Sequence, residues 1–203
     1  MNVEKPFLTL CIAIGLLTSC GNETYGDELA SQTYTATWPC ENGMADIYPC
    51  NGYDLMSYMS LQDLTIEGVN SGSISGNDSW GWTDPTTNKE YALVGLNSHA
   101  AFVDISNPVA PLLIGVLPTA TVNSSWRDIK VYQDHAFIVS EAPGHGMQVF
   151  DLTRLKNVSN APEIFTADSH FTDFGQAHNI VINESSGYAY VVGANRNGPF
   201  SGG

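Results

Sequence analysis

A repeat governs what this chain can fold into. The stretch "AAFVDISNPVAPLLIG", Ala100 to Gly115, runs an apolar strand into an Asp, a turn at Asn107 and Pro108, and a second apolar strand. It recurs as "MQVFDLTRLKNVSNAPEIF", Met147 to Phe165, which places Asp104 and Asp151 47 residues apart. Another matching pair of strands precedes each copy, "WGWTDPTTNKEYALVG" and "WRDIKVYQDHAFIVS", with Trp80 and Trp126 separated by 46 residues. A third copy opens at "AHNIVINESSGYAYVVG", where Ile180 answers Ile129 and Tyr188 answers Tyr91 and His135. By this spacing the next Asp-bearing strand should start near Ser201 to Gly203, so the sequence reads as the front part of a longer protein.

Within each unit, strand a is expected near Trp82, Ile129 and Ile180, and strand b at "YALVG", "AFIVS" and "YAYVVG". Strand c falls at "AFVDI" and "QVFDL", and strand d at "PLLIGV" and "EIFTA". These runs are short, rich in β-branched and aromatic residues, and bounded by Gly, Pro, Asn and Ser. The best helical candidate, Asp54 to Leu64, is only loosely periodic. Four antiparallel strands recurring at about 45 residues are the signature of a β-propeller blade. The expected fold is all-β, a β-propeller of four-stranded blades with about two and a half of them in this sequence. A β-sandwich also strings short strands together, but it has no reason to repeat its sequence. A piece of this size should leave apolar sheet faces uncovered.

The strand c sequences resemble LVIVD repeats, named for an apolar run ending in Asp. The longer pattern runs through "CENGMADIYPCNGYDLMSYMSL", "WGWTDPTTNKEYALVG", "SSWRDIKVYQDHAFIVSEAPGHGMQVFDLTRL" and "FGQAHNIVINESSGYAYVVG". It is similar to the choice-of-anchor B family of exported bacterial proteins, from Cys40 onward. That resemblance implies a secreted or surface-exposed propeller, and it brings no established catalytic activity.

The N-terminus agrees with export. Lys5, an apolar run from Phe7 to Leu17 and "LTSC" ending at Cys20 read as a processing segment. Its apolar run of 11 residues is shorter than the ~20 a spanning helix needs. "LLTSC" resembles a bacterial lipobox, which implies that Cys20 becomes the lipid-bearing first residue. The expected organisation is a lipoprotein signal peptide at 1–19, a polar flexible tether at 20–39, a Cys-loop lead-in at 40–79 and propeller blades at 80–203. Of the four cysteines, Cys40 and Cys50 are left to pair as a disulfide, as an even remainder in an exported protein suggests. The expected location is the outer membrane or cell surface, with the lipid anchor as the sole membrane contact. Acidic residues outnumber basic ones 21 to 7, a net charge of −14, which disfavours nucleic acid and anionic membranes and favours cations or basic partners.

If strand a lines the central channel, Gly81, Arg127 and His178 occupy equivalent positions, followed by Trp82, Asp128 and Asn179. Ligand-binding candidates are therefore Arg127, Asp128, His178 and Asn179, with Glu141 and His145 from the Gly-rich "EAPGHGMQ" connection. His145, His178 and Asp128 or Glu141 carry nitrogen and oxygen ligands that a divalent cation accepts. A metal-dependent hydrolase on the same propeller is the alternative to a binding or interaction module with a surface or extracellular ligand. No HExxH, EF-hand or GxSxG pattern is present. Asp104 and Asp151 are expected to accept hydrogen bonds from turn amides. Trp80, Trp82 and Trp126 are expected to pack blade against blade.

Overall fold

The computed structural model describes residues 35–69 and 72–194. The signal-peptide segment, Cys20 and most of the tether lie outside the described residues. The first hairpin pairs β1 (Met44–Ala45) with β2 (Tyr48–Pro49), and Cys40 and Cys50 close it as a disulfide, with Cα atoms 5.9 Å apart. Such a bridge is the chemistry of an oxidising, extracytoplasmic compartment. No described helix is long and apolar enough to cross a membrane.

Two antiparallel meanders follow. The first sheet runs β3 (Gly76–Thr83), β4 (Glu90–Leu96), β5 (His99–Asp104) and β6 (Leu112–Pro118), so the repeats begin ahead of residue 80. The second runs β7 (Arg127–Tyr132), β8 (His135–Ser140) and β9 (Met147–Asp151). A 3-10 helix (Leu152–Asn157) then leads to β10 (Glu163–Ile164) and β11 (Ser169–Phe171). A third hairpin joins β12 (Asn179–Asn183) to β13 (Tyr188–Val192). The described residues are all-β, and among them no sheet closes on itself.

One strand differs from expectation. "EIFTA" does not form the outer strand of the second sheet; β10 crosses back and pairs in parallel with β6 on the first sheet, while β11 takes the outer place beside β9. The crossing depends on Gly115, where a Cβ would lie 2.4 Å from the Glu163 carbonyl oxygen and 2.5 Å from the Phe165 ring. Phe165 is thereby delivered between the sheets, onto Phe102 and Phe150, which themselves stack at 4.6 Å. With Tyr91, Leu93, Ile129 and Ile138 these rings form the main core. Each fully buried side chain of this size contributes about 1.5 to 3 kcal/mol.

The first sheet's other face carries Leu96, Ala101, Val103 and Val116 and is covered by the lead-in through Met59, Leu64, Ile66 and Ile74. Buried His99 pins that cover, its Nε2 meeting the Leu64 carbonyl oxygen at 2.9 Å and its Nδ1 the Ser98 hydroxyl. The second sheet's far face meets the third hairpin through Val139, Phe174 and Ile180. On the third hairpin Val181, Tyr188, Tyr190 and Val192 are left exposed.

The strand c acids behave as turn formers. Asp104 accepts from the Ser106 amide and Asp151 from the Thr153 amide and hydroxyl. Trp82 stacks on Tyr91 and donates its indole N–H to Asp134 of the second sheet, and Trp126 donates to the His178 carbonyl across the next boundary. Trp80 instead stands exposed under the Lys130 ammonium, 4.5 Å away.

Candidate functional site

Strand register decides which side chains meet. Trp82 pairs with Tyr91 and Tyr91 with Asp104, while Tyr132 pairs with His135 and His135 with Asp151. Counting back from those equivalences, Asn77 and Asp78 answer Arg127 and Asp128, while Gly81 and Trp82 answer Val131 and Tyr132. The expected equivalence of Gly81 and Trp82 with Arg127 and Asp128 is therefore corrected.

The corrected alignment exposes a repeated contact. Asp78 Oδ2 accepts the Ile129 amide at 2.8 Å, and Asp128 Oδ2 accepts the Ile180 amide at 2.7 Å. The first strand of each of these two sheets thus holds the first strand of the next by one carboxylate. Lys130 Nζ sits 2.6 Å from Asp128 and 3.7 Å from Asp78, tying the two acids together. Burial pushes Asp128 upward, but the Lys130 and Ile180 hydrogen bonds outweigh it and hold its carboxyl below the usual range. Burial dominates at Asp78 and raises it. Alignment on the tryptophans hides Asn77, Asp78 and Lys130; the sequence signal for them is the shared "ND" and "RD" in the first residues of β3 and β7.

Successive strand residues point to opposite faces, and Arg127 turns away from this acid pair. It is buried, donating from Nε to the Leu96 carbonyl oxygen at 3.0 Å and from Nη1 to His145 Nε2 at 3.1 Å. A guanidinium only donates, so His145 Nε2 must accept and Nδ1 must carry the proton, which it gives to the Gly146 carbonyl oxygen at 3.0 Å. Burial lowers Arg127 to about 10 and His145 to about 4, leaving a charged guanidinium against a neutral imidazole at neutral pH. His170 Nε2 donates to the His145 carbonyl oxygen and supports the loop from outside.

At the surface of the same end, Glu141 Oε1 meets His178 Nδ1 at 2.6 Å, and the imidazole stacks on Trp126 at 4.2 Å with an 11° interplanar angle. Gly193, at φ +64°, leaves room for this histidine, since a Cβ there would lie 2.6 Å from His178 Cβ. His178 Nε2 meets no partner among the described residues, so the dyad presents an oriented ring nitrogen beside a carboxylate and an aromatic edge. Asn179 follows at the start of β12, half-buried and paired with Val192.

The structure therefore pairs Arg127 with His145 and Glu141 with His178, and leaves Asp128 with Lys130. It does not gather His145, His178 and Asp128 into one ligand set: the His145 nitrogens face Arg127 and Gly146, and Asp128 serves Ile180 and Lys130. Among the described residues no three His, Cys, Asp or Glu side chains converge as a metal site. Comparison with family models, curated proteins and solved structures finds no match to this chain.

Proposed function

We propose that this chain is the repeat region of an exported, lipid-anchored β-propeller that serves as a binding module at the bacterial cell surface. One observation carries the propeller reading: successive inner strands are held by the same carboxylate-to-amide contact, Asp78 to Ile129 and Asp128 to Ile180. A contact that recurs once per repeat suits sheets stacked around an axis. The disulfide supports export, and the lipobox-like "LLTSC" supports Cys20 as the anchor.

Binding belongs to the end bearing the β8–β9 connection. Arg127, Asp128 and His145 are engaged internally and build that end, whereas Glu141 and His178 stay accessible on it. In intact bacterial cells making the protein, metabolic palmitate should label it, Cys20→Ser should abolish the label, and a membrane-impermeant biotin reagent should tag the chain. Tagging only after lysis would sink the surface reading.

A further inference from the structure

The disulfide-closed hairpin does something unusual with its crosslink. A bridge in a small segment ordinarily guards a core, yet Ala45 is the one buried residue between Cys40 and Cys50. The apolar side chains around it point into water: Ile47 is 72%, Tyr53 83% and Tyr58 60% exposed. The backbone under them is fixed many times over. The Cys50 amide donates to the Gly43 carbonyl oxygen, the Cys40 amide to Asp54 Oδ1, and the Thr37 hydroxyl to the Met56 carbonyl oxygen. Trp38 and Leu55 exchange backbone hydrogen bonds behind the loop. The rings of Tyr48 and Tyr58 lie 6.1 Å apart and tilted by 32°. Fixing such a surface before contact removes ordering entropy that binding would otherwise cost.

Charge selects the partner. Residues 35–69 contain Glu41, Asp46, Asp54, Asp63 and Glu67 and not one Lys or Arg. The Glu41 and Asp46 side chains make no hydrogen bond or ion pair among the described residues, and both are exposed. Exposed tyrosine faces and unengaged carboxylates on one segment match guanidinium groups, which stack on aromatic faces and pair with carboxylates through two parallel hydrogen bonds. We propose that this hairpin docks an arginine-rich, cationic polypeptide surface, with Tyr53 and Tyr58 as stacking faces, Glu41 and Asp46 as ion-pair partners and Ile47 as the apolar contact at the tip. The proposal rests on the binding-module reading and adds to it a second surface, distinct from the Glu141–His178 end.

The test is calorimetric titration of the full chain with short oligoarginine and oligolysine peptides, beside the neutral glucan laminarin. Oligoarginine should bind, more tightly than oligolysine, and more weakly as salt rises. The doubly substituted Tyr53→Ala, Tyr58→Ala chain keeps the net charge and should lose about tenfold in affinity, whereas Tyr53→Phe should keep it. Both tyrosines are exposed, so far-ultraviolet circular dichroism should be unchanged. Equal affinity of the double variant and the parent would overturn the proposal, because the bulk acidic field alone would then account for binding. Binding of laminarin without binding of oligoarginine would overturn it too. Biotin labelling on intact cells reads the surface location separately, so failure of one is distinguishable from failure of the other.

Discussion

Arg127 and His145 show how a binding-site chemistry can be turned inward. Both residue types invite a ligand, yet here each is the other's ligand, with the imidazole held neutral so that it can accept from the guanidinium. This makes stability depend on pH with a definite sign. Between a folded value of about 4 and ~6.5 for an unfolded imidazole, the unfolded chain binds a proton that the folded chain refuses. Stability should therefore rise with pH across that window and be complete above it, by up to about 3 kcal/mol. His99, lowered chiefly by burial, acts in the same direction. Urea unfolding at several pH values should show the slope, and His145→Gln should flatten it. Asp128→Ala should cost about 1 to 3 kcal/mol, because it strands the buried Ile180 amide and leaves Lys130 only the more distant Asp78 carboxylate. Asp128→Asn keeps an acceptor for that amide and should cost less in the same measurement. The sequence offered Arg127, Asp128, Glu141, His145 and His178 as ligand-binding candidates, but residue type does not say which way a side chain points. Register does, and it joined Arg127 to His145 and Glu141 to His178.

The strands themselves were legible. Strands a, b and c appear where alternation and the Gly, Pro and Asn boundaries put them, and the Asp corners of strand c cap their turns as expected. Two features were not legible, each for a physical reason. The first and second units have a–b turns of different length, Thr83 to Glu90 against Tyr132 to His135, so the offset that aligns strand b cannot also align strand a. The exchange of β10 for β11 at the sheet edge depends on a contact distant in sequence, the close passage over Gly115, which local propensity does not encode. Gly115→Ala should push the crossing segment off β6 and cost about 2 kcal/mol. Hydrogen exchange should report it locally, through lost protection of the Phe165 amide that donates to the Val116 carbonyl oxygen at 2.8 Å.

Across the whole molecule, the stack is built from unlike ends. The lead-in covers one apolar sheet face, and the third hairpin leaves Val181 and Tyr190 bare at the other. The disulfide holds the lead-in's exposed hairpin, and its reduction should lower stability by about 2 to 3 kcal/mol in equilibrium unfolding with and without dithiothreitol. Between the ends run the inner-strand acids, and their order along the chain has a consequence for how the protein is made. A polypeptide emerges amino terminus first, so Asp78 is present before Ile129, and Asp128 before Ile180. Each of the first two sheets offers a waiting acceptor to a strand not yet synthesised, and assembly has a built-in direction, like masonry in which each course carries the key for the next.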